Sequence, residues 1–150
     1  METKTPRKVL IATDFSYGGD VALDPAIEIA RSRGAEVEIL HVIEVAEEFP
    51  FIPASTEDYG ALYSSVEREL TERANRIVAA GLPCTIKIIE GRAVADITKR
   101  ARDIGADVIV LGTHGRTGLA HAMLGSVAEK VVRRASCPVL TVPFSRKAAA

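Results

Sequence analysis

The feature that most constrains the fold is the alternation of five short apolar runs with segments of helical periodicity. The runs occupy residues 9–12, 37–43, 86–89, 108–111 and 139–142. Between them, apolar residues recur every three or four positions, which is the spacing of an amphipathic helix. Strands that alternate with helices in this way form right-handed β-α-β units. The sequence therefore predicts an α/β fold with a single five-stranded parallel sheet and helices on both faces.

Polar residues interrupt some of the apolar runs and not others. Residues 9–12 and 108–111 are uninterrupted, whereas the second run contains Glu38 and His41, and Thr85 and Lys87 accompany the third. A strand that is covered on both faces reads as a continuous apolar run. We therefore expect the first and fourth strands at the centre of a doubly wound sheet. His41 is expected to be a hydrogen-bonded core residue rather than a catalyst.

Each of the four helical segments presents one apolar stripe to the sheet. Gly34, Gly81 and Gly105 follow the first three segments and are predicted to close them in the left-handed conformation. Pro25 predicts either a kink in the first helix or a helix that begins nearby with Asp24 as its N-cap. The stripes consist of Leu23, Ala26, Ile27 and Ala30; Leu62, Val66, Leu70, Ala74 and Val78; Val94, Ile97, Ala101 and Ile104; and Val127, Val131 and Ala135.

Length and charge restrict the class of protein. A chain of 150 residues is about one domain, here residues 1–150, with a variable surface loop at about 44–58 and a flexible tail at about 145–150. The net charge of −1 predicts no nucleic-acid partner. No apolar run approaches the length of a membrane span or a signal peptide, so we expect no membrane partner and a cytoplasmic location. Cys84 and Cys137 fit no disulfide framework and are expected to be buried free thiols.

A glycine pattern follows the fourth strand. Gly112, Gly115 and Gly125 precede Ser126 with the spacing Gly-x2-Gly-x9-Gly-Ser, and Ser126 opens the last helical segment. Glycines leave no Cβ between backbone N–H groups and an anion, and a helix N-terminus has unpaired N–H groups at the positive end of its dipole. The pattern therefore predicts a phosphate site. A simpler explanation of Ser126 is a capping box with Glu129, which leaves Gly112 and Gly115 unexplained.

The predicted sheet has a crevice where the connections of its two central strands leave in opposite directions, and ligands bind at such a point. Thr13 and Asp14 lie on one side of it, and the segment from Gly112 through Thr113 to Gly115 lies on the other. Asp14 is expected to accept hydrogen bonds from a ribose or base, or to hold Mg2+. The alternative for Asp14 is a helix N-terminal residue that the helix dipole stabilises.

Four motifs together resemble the ATP-binding branch of the universal stress protein family, over nearly the whole chain. They are the glycine pattern, Asp14-Phe15-Ser16 after the first strand, His41-Val42 on the second strand and Cys137-Pro138-Val139-Leu140 at the last. The resemblance implies an adenine nucleotide α-hydrolase-like fold with the sheet order 3-2-1-4-5. It also implies a homodimer joined through the C-terminal strand Val139–Val142.

The resemblance further implies ATP as the ligand, with Mg2+ accompanying the phosphates. The glycine-pattern residues would contact phosphates and ribose, the main chain of Arg116 and Val127 would complete the phosphate site, and residues after the first strand and on the second would line the adenine end. The expected nucleotide-binding residues are Ala12, Thr13, Asp14, Val42, Gly112, Thr113, Gly115, Arg116, Gly125, Ser126 and Val127.

Three functions remain open at this point. They are an ATP-binding regulatory module of the stress response, a slow ATP-hydrolysing or phosphoryl-transfer enzyme, and a dimeric interaction protein that binds no nucleotide. Phosphoryl transfer needs positioned cations and an oriented nucleophile, yet the glycine loop has no lysine and Asp14 is the one evident base. His114 and His121 lack the spacing of a helical ligand pair, so no protein-built metal site is predicted. The regulatory module is therefore favoured over the enzyme.

Overall fold

The computed structural model describes residues 7–45, 56–113 and 124–143. Strands and helices alternate along the described chain. The strands are β1 (Lys8–Ala12), β2 (Glu36–Glu44), β3 (Cys84–Gly91), β4 (Val108–Gly112) and β5 (Val139–Val142). The helices are α1 (Tyr17–Asp20), α2 (Leu23–Arg33), α3 (Thr56–Ala79), α4 (Ala93–Ile104) and α5 (Ser126–Arg134).

The five strands form one parallel sheet in the order β3-β2-β1-β4-β5. Ile11 of β1 pairs with Ile39 of β2 on one side and with Val110 of β4 on the other. The chain leaves β1 towards β2 and leaves β4 towards β5, so these two connections diverge. The predicted order, and the central position of the first and fourth strands, are confirmed.

Helices cover both faces of the sheet. On one face, α2 and α3 pack on side chains such as Ile11 and Ile39. On the other face, α4 and α5 pack on Leu10 and Ile109. These four side chains are fully buried, because alternate residues of a central strand point to opposite, covered faces.

The last turn of α3 departs from the predicted apolar stripe. Val78 is 54% exposed, whereas its neighbour Ile77 is fully buried. Each step of four residues turns about 40° beyond a full turn of the helix. Steps from Leu62 in fours therefore rotate off the buried face by Val78, and a step of three to Ile77 returns to it. The prediction for Val78 is wrong for this reason.

The helix ends follow local backbone rules. Gly34, Gly81 and Gly105 have φ angles of 59°, 87° and 64°, as predicted. Helix α2 begins close to Pro25, but its N-cap is Ala22 and no side chain caps it, so Asp24 as N-cap is wrong. Pro25 is the third residue of the helix, where an N–H would have no intrahelical acceptor, and the proline is tolerated for that reason.

Several further expectations concern the ends and edges of the chain. Strand β2 continues through Glu44 and α3 begins at Thr56, so most of the predicted loop, and the tail at 145–150, lie outside the described residues. Cys84 and Cys137 are free thiols but half-buried rather than buried, since β3 and the start of β5 lie at the two edges of the sheet. Among the described helices, none has the length and apolarity needed to cross a membrane.

Candidate functional site

A cavity of about 800 Å³ opens at the carboxyl ends of the central strands β1 and β4. Nine of the eleven expected nucleotide-binding residues line it; Gly115 and Arg116 lie outside the described residues. Those nine are Ala12, Thr13, Asp14, Val42, Gly112, Thr113, Gly125, Ser126 and Val127. The divergence of the two connections brings these residues together, as the topology of a doubly wound sheet requires. Their role in binding stays a prediction.

The chain turns tightly after β1. Thr13 continues the ladder with its N–H on the Leu40 carbonyl at 3.0 Å, and its Oγ1 accepts a bond from the Phe15 N–H at 3.0 Å. Asp14 Oδ1 accepts hydrogen bonds from the Ser16 N–H at 2.9 Å and from the Ser16 hydroxyl. This is an Asx turn, which gives the Asp-x-Ser motif a structural purpose. It holds the Asp14 carboxylate at the cavity wall.

Ser16, and not Asp14, caps the short helix that follows. The Ser16 hydroxyl accepts a hydrogen bond from the Gly19 N–H at 3.1 Å, which is the bond an N-cap side chain makes. Asp14 therefore supports the cap indirectly, by accepting hydrogen bonds from the N–H and the hydroxyl of Ser16. The alternative that made Asp14 itself the helix N-terminal residue is wrong.

Gly112 lies where β4 passes under the backbone of α1. A Cβ on Gly112 would lie 1.9 Å from the Gly18 carbonyl oxygen and 2.8 Å from the Gly18 carbonyl carbon. No side chain fits at that distance, so the fold itself needs glycine at position 112. This packing reason was missed in the sequence because Gly18 is far away along the chain.

The N-terminus of α5 faces the same cavity. Gly125 is the N-cap residue, and its N–H donates to the Thr113 carbonyl. Helix geometry leaves the N–H groups of Ser126, Val127 and Ala128 without intrahelical acceptors, and all three residues line the cavity. These are donors for an anion.

The predicted capping box at α5 is wrong. No side-chain hydrogen bond caps this helix. Glu129 instead forms an ion pair with Arg133, with Oε1 and Nη2 2.9 Å apart. Because Ser126 is already the first helical residue, its side chain does not occupy the capping position. Glu129 leads Arg133 by four residues, the favourable order for a helical ion pair.

The charges at the described cavity wall are acidic. Asp14, Glu44 and Glu69 line it together with His41, and the described lining residues include neither lysine nor arginine. Attraction for an anion must come there from backbone N–H groups, or from a cation that arrives with the ligand. Within the described ranges, no three His, Cys, Asp or Glu side chains are grouped so as to hold a metal ion. His114 and His121 lie outside those ranges.

His41 is hydrogen-bonded, as expected, but it is half-buried at the cavity wall rather than a core residue. Its Nδ1 lies 2.8 Å from the Thr13 carbonyl oxygen, and because a carbonyl only accepts, Nδ1 is the donor. Its ring stacks on Phe15 with centroids 4.2 Å apart. Phe15 was not expected at the cavity, since an apolar residue in a turn carries no signal of a binding role.

Comparison with known proteins places the chain in a family. The sequence model described as "Universal stress protein family" matches residues 5–143. Universal stress protein MJ0531 of Methanocaldococcus jannaschii is 36% identical over 149 residues, which cover 94% of this chain and 84% of that protein.

Solved structures agree with the sequence comparison. The structure of MJ0577, a protein that is also from Methanocaldococcus jannaschii, aligns with a TM-score of 0.79 at 30% identity and covers 93% of this chain and 97% of that one. A universal stress protein in complex with cAMP aligns with a TM-score of 0.70 at 26% identity, over 95% and 100% of the two chains. A family protein from Arabidopsis thaliana with AMP bound aligns with a TM-score of 0.67 at 25% identity, over 95% and 94%. The match to the family model, the identity to MJ0531 and the shared fold lead to one conclusion: this chain belongs to the universal stress protein family.

Proposed function

We propose that the protein is a cytoplasmic, nucleotide-dependent regulatory module that binds ATP with Mg2+ in the cavity above β1 and β4. The observation that carries this proposal is that the N-terminus of α5 and the Thr13-Asp14 turn share one cavity. Its volume of about 800 Å³ lies in the range of small-molecule sites, about 300–1,000 Å³. The complexes of related proteins with cAMP and AMP support an adenine nucleotide.

Each part of the cavity suits one part of the nucleotide. The N–H groups of Ser126 and Val127 would bind phosphate oxygens, and Gly115 and Arg116 would complete that end. The adenosine end would be bound by Ala12, Thr13, Asp14 and Val42. Between the phosphate end and the adenosine end, the ligand would contact Gly112, Thr113 and Gly125. Mg2+ would offset the phosphate charge against the acidic wall of the cavity, since this ion takes oxygen ligands from phosphates, carboxylates and water.

A regulatory role is favoured over an efficient enzyme. Phosphoryl transfer depends on positioned cations, whereas the described wall carries the carboxylates of Asp14, Glu44 and Glu69 and neither lysine nor arginine. A nucleotide that is held and released shifts a population of states through its different affinities for them.

We also propose a homodimer joined through β5. This strand lies at the edge of the sheet, and its four residues are half-buried rather than fully exposed. A bare edge strand presents unpaired N–H and C=O groups to a second chain. Sedimentation equilibrium should give twice the chain mass of 16.0 kDa. A single species at the chain mass at micromolar concentration would contradict the dimer.

Thermal denaturation tests the nucleotide proposal. A ligand at 100 times its dissociation constant stabilises a fold by about 2.7 kcal/mol, which for a domain of this size raises Tm by about 5–11 °C. ATP with Mg2+ should produce this shift, and FMN and NAD should not. Release of inorganic phosphate over hours then tests the enzyme alternative.

Gly125→Leu supplies the matched variant. Gly125 has φ −58° and ψ 157°, a conformation open to any residue, so the leucine should leave folding intact while its side chain obstructs the first turn of α5. The ATP shift should vanish in this variant. In Gly60→Ala, on an exposed part of α3 with open space around the site, the shift should persist. If no adenine nucleotide moves the wild-type transition, the proposal is wrong.

A further inference from the structure

Arg73 is a charged residue inside the apolar face of α3. Leu70 and Ile77, three residues before it and four after it, are fully buried, and Arg73 itself is only 9% exposed. A buried charge without partners is strongly unfavourable. The guanidinium must therefore be paired, and its partners identify what it does.

Five hydrogen bonds occupy the five N–H donors of this guanidinium. Nε and Nη2 donate to the two carboxylate oxygens of Asp20 at 2.6 and 3.0 Å. Nη1 donates to Glu69 Oε2 at 2.6 Å and to the Glu69 carbonyl at 3.0 Å. The second Nη2 hydrogen is donated to the Phe15 carbonyl at 3.2 Å. Burial opposes the charge, but the bonds with Asp20 and Glu69 outweigh it and raise the pKa of Arg73.

Phe15 is the residue in this group that needs support. Among the described non-glycine residues, it alone has a positive φ, 65°, and such conformations persist only where the surroundings hold them. Its carbonyl accepts from Arg73 and its ring lies 4.9 Å from the Arg73 Cζ. The ring also stacks on His41. Contacts from α3 and β2 together hold the strained turn.

We propose that Arg73 is a positioning residue of the nucleotide site, which it serves by clamping Phe15 and so aiming Thr13 and Asp14 at the adenosine end of the ligand. This inference rests on the proposed function. Thr13 and Asp14 line the cavity and directly precede Phe15 in the Asx turn, so rotation of Phe15 out of its conformation would redirect both. Arg73 itself is not among the described residues that line the cavity.

The substitution Arg73→Lys removes the geometry of the guanidinium but keeps its positive charge. Lysine keeps the positive charge beside Asp20 and Glu69, so the carboxylates stay compensated, but it lacks the planar fork that bonds Asp20 and the Phe15 carbonyl together. Arg76→Lys is the matched control. It makes the same exchange in the same helix, at an exposed ion pair with Asp24 whose Nη2 and Oδ1 atoms are 3.3 Å apart.

Two readouts at 20 °C, below the melting transition, test the clamp. In Arg73→Lys, the dissociation constant of ATP with Mg2+ should rise about tenfold, the scale of coupling through neighbouring residues. The affinity for GTP should fall less, because GTP shares the ribose and phosphates of ATP and lacks only the adenine that the turn would recognise, so the preference for ATP should fall. Hydrogen exchange of the Ser16 amide in the ligand-free protein should also quicken. Arg76→Lys should match the wild type in each measurement.

Phe15→Leu supports the test if Arg73→Lys fails to fold. It keeps the arginine and its charge partners but removes the stacked ring, and the ATP preference should again fall. In the Phe15→Leu background, Arg73→Lys should have a smaller effect than alone, because both act through one contact.

The possible failures are distinguishable. A wild-type protein that binds no adenine nucleotide overturns the proposed function and this inference with it. Suppose that the wild-type protein binds ATP. The inference alone is then overturned if Arg73→Lys binds ATP as tightly as the wild type, or if Arg76→Lys weakens ATP binding as much as Arg73→Lys does. If Arg73→Lys does not fold, an unchanged ATP affinity in Phe15→Leu has the same consequence.

Discussion

The substitution Gly112→Ala should destabilise the fold although it adds a single methyl group. The new Cβ would lie 1.9 Å from the Gly18 oxygen, 2.8 Å from the Gly18 carbonyl carbon and 3.3 Å from the Gly19 Cα. Carbon atoms in contact are normally about 3.5–4.0 Å apart. All three atoms belong to backbone, so no side-chain rotation relieves the clash and α1 must shift.

The magnitude follows from what holds α1. Its backbone is tied down by Ser16, whose hydroxyl caps it, and by Asp20, which bonds Arg73 twice. Overpacking a well-filled interior costs about 1–3 kcal/mol, and a clash with restrained backbone belongs at the upper end of that range. A loss of about 3 kcal/mol lowers Tm by about 6–12 °C in a domain of this size.

Circular dichroism melts of the ligand-free protein measure the effect. Gly60→Ala is the control, since a Cβ there meets nothing within 4 Å and glycine costs a helix about 0.5–1 kcal/mol relative to alanine. The exchange of glycine for alanine should therefore raise Tm by a few degrees at Gly60 and lower Tm at Gly112. A Gly112→Ala protein that melts at the wild-type temperature would show that α1 does not depend on this close approach.

Two further predictions concern the core and the thiols. Ile77→Ala should cost about 2–5 kcal/mol by urea denaturation, whereas Val78→Ala should change the free energy of unfolding by less than about 0.5 kcal/mol; equal losses would contradict the helix phase described above. Burial, aided by the charge of Glu38, raises the pKa of Cys84 from 9.0 to about 11. The folded protein favours the protonated thiol, so this contribution to stability is complete below pH 9 and is lost as the pH rises towards 11. In a Cys137→Ser variant at pH 8, Cys84 should react with a disulfide reagent about 100-fold more slowly than an unperturbed thiol, and a rate near that of free cysteine would contradict the shift.

The central position of β1 and β4 and the rim of the cavity follow from patterns along the chain, whereas the full sheet order was implied by the resemblance to the universal stress protein family. Residues 9–12 and 108–111 are continuously apolar because both faces of a central strand are covered. The helix-closing conformations of Gly34 and Gly105 were accessible because a left-handed φ is a local property of the backbone. Thr13 and Gly112 were expected on opposite sides of one crevice because parallel strands end at the same edge of a sheet.

The three errors have different physical origins. The spacing of Glu129 to Ser126 predicts a capping box, but Arg133 is also within reach of Glu129 and forms an ion pair with it instead. The prediction for Val78 extended a repeat of four residues, whereas an α-helix has 3.6 residues per turn. Asp24 is a residue type that is common at the N-cap, but the N-cap of α2 is Ala22, two residues earlier.

Patterns in the chain were enough to establish which segments are strands, which two of them lie at the centre of the sheet and at which edge a ligand would lie, because each of these follows from periodicity and from the chirality of β-α-β units. The need for glycine at position 112, and the clamp of Arg73 on Phe15, arise only in the folded molecule. Gly18 and Gly112, like Phe15 and Arg73, are brought together by strand pairing and helix packing across long stretches of chain. Contacts of a few ångströms between such distant residues depend on the placement of whole elements, which no local pattern encodes.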